Sequence, residues 1–375
     1  MKIGILTHPL KTNYGGVLQN YALQTVLKKM GHDVITINIG KKFNTLGWIK
    51  SLLKYPIKKI LNRNAKLPIT KRQTLIIEKN INVFINKYIN ISEPMLGINK
   101  SVVEKCGLDV IIVGSDQVWR PDYVRNIGNM FLDFLGDSEI VRIAYAASFG
   151  IDNWTYTKKQ ENICLHEVNK FRSISVREKS GVHLCNKYLK VNATHVLDPT
   201  LLLKKEEYVS LIDSNKKIEK NKHKKQLSVY ILDYNNEKND FVNNTATKFD
   251  LKIVHLNNHD VKNQSVYYKE RIVPPIENWI KGFHEADFII TDSFHGTVFS
   301  ILFNKPFVAI VNNSRGASRF RSLLEIFDLK NRLVADFNSF DIDHLYKSEI
   351  DWLHVNKLLD LEIGKSMQYL QTNLV

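Results

Sequence analysis

Three polar side chains, Asp292, Ser293 and His295, stand between an apolar strand and an apolar helix in the stretch FIITDSFHGTVFSILF. Polar groups buried at such a junction cost stability unless they find partners. Ser293 is a typical helix N-cap, and Gly296 would let an anion approach the unpaired N–H groups of the first helical turn. His295 would then lie beside that anion. A capped turn with a hydrogen-bonded histidine explains the same spacing equally well.

The loop before the first predicted helix, in HPLKTNYGGVLQNYALQ, carries a second set of candidate groups. Asn13, the backbone of Gly15 and Gly16, and the side chain of Gln19 could bind a ligand there. The segment lacks the GxGxxG pattern of a dinucleotide site. An ordinary strand-to-helix connection is the alternative.

Two charged residues directly follow predicted buried strands, where side chains face the ligand cleft of an α/β sheet. Asp116 follows LDVIIVG, and a carboxylate there can bind a sugar hydroxyl or accept its proton. The alternative is a loop aspartate that caps the next turn. Arg177 ends SISVRE, and its guanidinium suits bidentate binding of phosphate or carboxylate. For Arg177 the alternative is a salt bridge to Glu178 or another surface acid.

A basic segment, NSRGASRFRS, follows the strand predicted at 306–311 and supplies Arg315, Ser318 and Arg319 as further anion ligands. A solvated helix start is the alternative, and we favour it for Arg321. P-loop, GxSxG, HExxH and kinase signatures are absent from the sequence. The candidate segments therefore indicate a protein that binds a small anion, such as a phosphate ester, in a cleft.

The elements that position these residues alternate between strands and helices. The strand KIGILT, a helix at 17–30 and the strand DVITINI form a βαβ unit, which predicts a parallel sheet. A further helix is predicted at 71–89. The pair Asp198-Pro199 is a turn signal that suits a domain boundary, and the basic run at 216–225 is typical of a linker.

A second alternating series follows this linker, and the chain closes on a helical pattern. The sequence thus predicts an α/β fold of two Rossmann-like domains that face a cleft. We assign residues 1–205 to the N-terminal domain, 206–350 to the C-terminal domain, and 351–375 to a C-terminal helical segment.

The net charge of +15 over 375 residues permits nucleic acid, anionic lipid or anionic substrates as partners. Most of the excess is Lys, in a chain rich in Asn and Ile, so we favour biased composition as its cause. Three separated cysteines indicate neither a disulfide framework nor a zinc site, and we expect no metal. No apolar run is long enough for a transmembrane helix. We expect a cytoplasmic location.

Five segments in one order, NYGGVLQNYALQ, VGSDQVW, SVRE, LDPTLLL and TDSFHGTVFSILFNKPFVAI, resemble the polysaccharide pyruvyl transferase family. The resemblance runs from about residue 3 to about residue 335. It implies a GT-B-like fold, with the acceptor on the N-terminal domain and phosphoenolpyruvate on the C-terminal domain. It also implies that no cofactor is needed. The product would be a pyruvate ketal on a bacterial capsular, exopolysaccharide or envelope glycan precursor, with release of phosphate.

The resemblance implies roles on the donor side of this reaction. His295 would donate a proton to the enol carbon, because its ordinary pKa of ~6.5 suits proton transfer. The helix start from Ser293 to Gly296 would hold the phosphate, and Arg177 would clamp phosphate or carboxylate. Lys305 would add positive charge if it points inward.

On the acceptor side, Asp116 would orient or deprotonate a sugar hydroxyl, assisted by the loop at 13–16. One departure concerns the donor, because many relatives carry Arg-x-His where this chain has Ser293 two residues before the histidine. Arg319 or Arg315 would then replace the missing guanidinium.

The segment LGWIKSLLKYPIKKILNR is both basic and apolar, and two interpretations are open. It could rest on an anionic membrane surface, which would suit a polyprenyl-diphosphate-linked acceptor at the inner face of the cytoplasmic membrane. We favour packing against the N-terminal domain, because Pro56 should break the helix.

Two other functions are open. The alternative enzyme is a GT-B glycosyltransferase with a nucleotide-sugar donor. A basic nucleic-acid-binding protein would require strongly salt-dependent binding, and no nucleic-acid module is recognisable.

Overall fold

The computed structural model describes residues 1–40, 45–61, 69–96, 98–212, 224–312, 316–335, 337 and 341–375. Within these residues the strands form a six-stranded sheet, a five-stranded sheet and a two-stranded pair. Strands β1 to β8 are Lys2–Leu6, Asp33–Thr36, Ile39–Gly40, Met95–Leu96, Val110–Val113, Val141–Ala147, Ser173–Val176 and Thr194–His195. Strands β9 to β13 are Gln226–Tyr230, Lys252–His255, Phe288–Thr291, Phe307–Ile310 and Leu333–Val334.

The described helices alternate with these strands. Helices α1 to α7 are Tyr14–Lys29, Thr45–Leu61, Lys71–Ile77, Lys79–Tyr88, Lys100–Glu104, Lys158–Val168 and Lys179–Leu184. Helices α8 to α14 are Lys205–Val209, Asn236–Lys248, Ile276–Glu285, Phe294–Leu302, Ser318–Ile326, Ile342–Lys347 and Trp352–Asn373.

Both large sheets are parallel throughout, as the alternating elements predict. The first has the strand order β2-β1-β5-β6-β7-β8 and the second the order β10-β9-β11-β12-β13. The central strand β5, with the sequence VIIV, is buried at every position. Continuous apolar strands are typical of parallel sheets that carry helices on both faces. The predicted class of two Rossmann-like units is thereby confirmed, while the assigned domain limits stay a prediction and residues 213–223 lie outside the described residues.

The helix predicted at 71–89 is instead two helices, α3 and α4. Between them lies Glu78, whose backbone angles (φ −89°, ψ 3°) leave the helical region. The expectation that Pro56 breaks a helix is wrong, because α2 continues through it. The proline ring fits helical φ and removes a single intrahelical hydrogen bond, which an otherwise regular helix can tolerate.

Packing of α2 against the N-terminal domain, which we favoured, stays a prediction. One face of the helix lies open to solvent at Ile49, Leu53, Ile57 and Ile60, whereas Leu52 is half-buried. No helix among the described residues is long and apolar enough to cross a membrane.

The two sheets are joined by a shared apolar core and by the final helix. Tyr14 of α1 stacks on Trp279 of α10, with ring centroids 5.7 Å apart. Helix α14 follows the second sheet yet packs on the first. There the Tyr369 hydroxyl donates to the Ala144 carbonyl at 3.0 Å, and Ser366 Oγ accepts from the Leu197 N–H at 3.0 Å. In the chain, the second sheet thus follows the first sheet and precedes a helix that packs on the first sheet.

Candidate active site

The carboxyl ends of β1, β5, β7 and β8 lie at one edge of the first sheet, where ligands of α/β proteins bind. Loops from this edge carry three charged residues, and the first turns of α11 and α12 add two more from the second sheet. We call these five residues the central cluster: Asp116, Arg177, Asp198, His295 and Arg319.

Arg177 lies at the centre of this cluster with its guanidinium buried. Its Nη1 is 2.6 Å from Asp198 Oδ2, and its Nη2 is 3.4 Å from Asp116 Oδ1. Its guanidinium carbon lies 4.4 Å from the centre of the Phe294 ring. Burial would lower the pKa of Arg177, but the two carboxylates outweigh burial and raise it. The salt-bridge alternative therefore describes Arg177, although its partners are not the predicted Glu178.

Asp198 was missed as a site residue, because its pairing with proline suggested only a turn. Its Oδ2 accepts from Arg177 and from Ser115 Oγ (3.3 Å), and lies 3.5 Å from His295 Nε2. Its Oδ1 accepts from the backbone and hydroxyl of Thr200. Burial would raise the pKa of Asp198, but His295 and Arg177 outweigh it and hold the pKa well below its usual range. Asp198 follows β8 by three residues, much as Asp116 and Arg177 follow their strands, but a strand of two residues gives little signal in the sequence.

His295 is buried, and its ring lies between Asp198 and the first turn of α1. Its Nε2 has no hydrogen-bond partner among the described residues. A Cβ atom on Gly15 would lie 2.0 Å from His295 Nδ1, so only glycine leaves room for the ring. Because α1 begins at Tyr14, Gly15 belongs to the helix rather than to the preceding loop.

The start of α11 follows the capped-turn pattern. Ser293 is the N-cap, and its Oγ accepts from the Gly296 N–H at 3.5 Å. A Cβ atom on Gly296 would lie 2.1 Å from Thr291 Oγ1. The glycine thus allows α11 to pack closely on β11, and Thr291 occupies the path predicted for an anion.

Asp292 closes the same turn and is fully buried. Its carboxylate accepts from the N–H of Leu232 (2.6 Å), from Lys238 Nζ (2.7 Å) and from Asn312 Nδ2 (3.1 Å). These partners satisfy the carboxylate without a ligand.

Asp116 follows β5 and is buried, and it is not among the described residues that line the cleft reported below. Asn13 Nδ2 lies 3.3 Å from its Oδ2 and donates to it. Burial would raise the pKa of Asp116, but nearby cations, Arg177 first among them, lower it to about 2. The group is ionised at neutral pH and can accept a hydrogen bond from a hydroxyl.

The side-chain amide of Gln19 links the loop after β1 to the loop after β5. Its Nε2 donates to the Gly16 carbonyl (2.9 Å) and to Thr7 Oγ1 (3.2 Å), and its Oε1 accepts from the Ser115 N–H (3.0 Å). Both ends of the amide are therefore used by the protein. The structure places Gln19 and Gly16 as supports of the site rather than as ligand contacts.

Arg319 and Ser318 open helix α12 beside the cluster. The Arg319 guanidinium carbon lies 5.5 Å from the centre of the Phe294 ring, and the Arg177 guanidinium lies over the same ring. Burial, and next the charge of Arg177, lower the pKa of Arg319 to about 10. The buried Ser318 Oγ has no hydrogen-bond partner among the described residues. A second cation and a buried hydroxyl thus lie at a helix N-terminus.

Lys305 does not join the cluster. Lys305 lies between α11 and β12, so it is at the far end of α11 from His295 and cannot contribute the predicted charge. Arg315 lies outside the described residues.

A cleft of about 920 Å³ adjoins the cluster at Asn13. It separates the first sheet from the loops after β9 and β10. Its lining is rich in tyrosine and amide side chains, among them Tyr123, Tyr234, Asn257 and Asn258, and it also includes Arg120 and His259.

Two parallel sheets with a site at their meeting edges define a two-domain α/β protein of the GT-B-like class. UDP-GlcNAc 2-epimerase from Neisseria meningitidis, solved bound to UDP-GlcNAc, shares this fold at 10% identity, with 100% of this chain and 99% of that chain covered and a TM-score of 0.51. The Methanocaldococcus jannaschii UDP-GlcNAc 2-epimerase, in complex with UDP-GlcNAc and UDP, is 11% identical, with the same coverage and a TM-score of 0.50. At these identities the likeness shows the fold alone.

Within this class, the polysaccharide pyruvyl transferase model matches residues 13–314, and the chain belongs to that family. Membership implies an enzyme that transfers pyruvyl groups to glycans. No curated protein matches the chain at a significant level of similarity. The matched span includes His295 and Asp198 but ends before Arg319.

Proposed function

We propose that the protein transfers the enolpyruvyl group of phosphoenolpyruvate to two hydroxyls of one sugar. One hydroxyl oxygen bonds to the carbon that carries the phosphate ester, while the methylene carbon takes up a proton. The second hydroxyl displaces phosphate and closes a ketal. One hydroxyl proton thereby ends on the new methyl group, and the other leaves with phosphate. The observation that carries the proposal is the buried pair of His295 and Asp198 beside two arginines, inside a family of pyruvyl transferases.

His295 is our candidate for the proton donor. Its Nε2 lies 3.5 Å from Asp198 Oδ2. Gly15 and Asp198 together fix the ring from two sides. Nε2 has no hydrogen-bond partner among the described residues, so it can form a hydrogen bond with a substrate.

Arg319 and Ser318 are our candidates for the phosphate or carboxylate of the donor. The charge of Arg177 disfavours the charged form of Arg319, and a bound anion would relieve that repulsion. Ser318 Oγ, which has no hydrogen-bond partner among the described residues, adds a donor. Arg319 would therefore take the place of the arginine that relatives carry at position 293.

Arg177 acts through the two carboxylates that it holds, and Asp116 orients the acceptor. A carboxyl with a pKa of about 2 is a weak base at neutral pH, so Asp116 is better suited to hold a hydroxyl than to deprotonate it. Asn13 keeps this carboxylate at the cleft boundary.

The cleft next to Asn13 would receive the acceptor sugar. Its volume lies at the upper end of the range for small-molecule sites and exceeds what a three-carbon donor needs. Tyrosine rings suit the apolar faces of sugars, and amides suit their hydroxyls. The lining contains one acid, Asp233, and one base, Arg120, so these two give it no net positive charge that would favour a nucleotide diphosphate over an uncharged sugar. The sugar would belong to a bacterial envelope, capsular or exopolysaccharide glycan built in the cytoplasm.

Incubation with phosphoenolpyruvate and a panel of glycan acceptors tests this function. We expect phosphate release that requires an acceptor, and a new methyl signal of the ketal in the NMR spectrum of the glycan. Phosphoenolpyruvate alone should raise the melting temperature.

The variant His295→Ala should bind phosphoenolpyruvate and keep its fold but release no phosphate. Normal turnover by this variant would remove His295 from the mechanism. Stabilisation by UDP or a UDP-sugar, with no response to phosphoenolpyruvate, would instead support a glycosyltransferase.

A further inference from the structure

Helix α2 exposes a continuous apolar stripe on the surface of the first domain. The stripe consists of Ile49, Leu53, Ile57 and Ile60, which are 44%, 71%, 61% and 83% exposed. At 3.6 residues per turn these four side chains fall within an arc of about 80°. A helix on the surface of a soluble domain normally turns such a stripe towards the core. Here the described residues leave it uncovered.

Other exposed large apolar residues are scattered, such as Leu75, Val83 and Leu353 on three different helices. Single exposed apolar residues are normal on soluble proteins. A cluster of four on one helix face is different, because a contiguous apolar patch marks a surface that another apolar surface covers.

Positive charge borders this stripe. Lys50 and Lys54 are exposed, lie one turn apart, and run along one side of it. The whole chain carries a net charge of +15. The covering surface should therefore be apolar and bear negative charge.

We propose that α2 docks this protein on an anionic lipid bilayer. The apolar stripe enters the boundary between head groups and acyl chains, and the lysines contact anionic head groups. A second copy of the chain is a poorer occupant, because a two-fold contact between stripes would bring the same lysine rows together. The helix lies along the surface and does not span the bilayer.

The exposed Pro56 fits this placement. A proline inside a helix leaves one carbonyl of the preceding turn without its intrahelical donor. Water and lipid head groups at the interface can satisfy that carbonyl, whereas the acyl core cannot.

Vesicle co-sedimentation of the full chain tests the proposal without donor or acceptor, so its result is independent of the proposed reaction. The vesicles contain equal parts of phosphatidylglycerol and phosphatidylcholine, with pure phosphatidylcholine as reference. We expect binding to the anionic vesicles that weakens as salt is added. The variant Leu53→Glu/Ile57→Glu should bind at least about tenfold more weakly, because it loses apolar burial and gains repulsion.

The matched control is Leu353→Glu/Leu361→Glu on α14, which changes the net charge equally at two residues that are 69% and 56% exposed. This control should bind as the unchanged protein does. Equal losses in both variants would reduce the effect to net charge and overturn the proposal. Absence of vesicle binding would also overturn it. So would a dimer, seen by sedimentation velocity, that Leu53→Glu/Ile57→Glu dissociates.

Discussion

The carboxylate of Asp198 contacts both an arginine and a histidine of the central cluster. Arg177 binds one oxygen at 2.6 Å, and His295 lies 3.5 Å from the same oxygen. The carboxylate thus balances the charge of Arg177 and also lies against the ring of His295. We therefore expect a substitution of Asp198 to affect both the stability and the activity of the protein.

The substitution Asp198→Asn should cost roughly 3–5 kcal/mol of unfolding free energy. The amide keeps the shape of the side chain but leaves Arg177 buried with one fewer counter-charge. Urea unfolding measures the loss. Asp328→Asn is the control, because Asp328 pairs with His354 at the surface, where such a pair contributes little. Equal stabilities of the two variants would contradict the role of Asp198.

The substitution Arg319→Ala should raise the Michaelis constant for phosphoenolpyruvate at least about tenfold, because a hydrogen bond to a charged group is lost. Steady-state phosphate release measures the change. Arg321→Ala alters the same helix at an exposed position and should leave the constant unchanged. A similar constant in Arg319→Ala would place the donor elsewhere.

The first turn of α1 lies against the ring of His295 and limits where the ring can move. Gly15→Ala would put a methyl group 2.0 Å from His295 Nδ1 and force the ring to move. A displacement of about 1 Å at a reacting group can cost on the order of 100-fold in rate, so we expect a loss of that size in kcat. The protein should remain folded.

The matched control is Gly364→Ala in α14, where no atom lies within 4 Å of the added methyl group. Alanine should stabilise this helix by up to about 1 kcal/mol and leave turnover unchanged. Full activity of Gly15→Ala would show that the ring position tolerates movement.

Strand ends were the most reliable guide from sequence to site. The parallel pattern alone placed Asp116, Arg177 and the start of α11 at neighbouring edges, and the structure brings them together. Asp198 escaped because β8 has two residues, Thr194 and His195, too short to be recognised as a strand. The helix cap formed by Ser293 could also be predicted from the sequence, because it depends on contacts within four residues.

Contacts between distant segments could not be read from the sequence. The pairing of Arg177 with Asp198, rather than with the adjacent Glu178, depends on how two strands align in the sheet. The closeness of Gly15 to His295 depends on how the two domains meet. The open face of α2 could not be predicted either, because amphipathic periodicity does not show what covers the stripe.

Acid should destabilise the whole fold through the buried carboxylates of the site. The pKa of Asp116 is about 2 in the folded protein, below its ordinary value. The associated stability is therefore present above pH 4 and is lost as the pH falls towards 2. The contribution of Asp116 is about 2 kcal/mol. Urea unfolding from pH 6 to pH 2 should show a smaller loss of unfolding free energy for Asp116→Asn than for the unchanged protein. Equal losses in the two proteins would show that Asp116 does not cause the acid sensitivity.

Helix α14 should stabilise the first domain from the far end of the chain. Tyr369→Ala removes a buried ring and two hydrogen bonds, to the Ala144 carbonyl and to Ser173 Oγ. We expect a loss of roughly 3 kcal/mol or more, seen as a lower melting temperature. Leu361→Ala on the same helix is the control, because this exposed side chain should contribute little. Equal melting temperatures would mean that α14 rests only loosely on the first sheet.

The return of α14 to the first sheet has a consequence for synthesis on the ribosome. The strands of the first sheet emerge before those of the second, but their covering helix emerges after both. The Ala144 carbonyl and the Leu197 N–H lack these partners until then. The second sheet has all its described strands by Val334, before α14 begins at Trp352. The domain whose translation starts first is therefore the one whose folding is completed last.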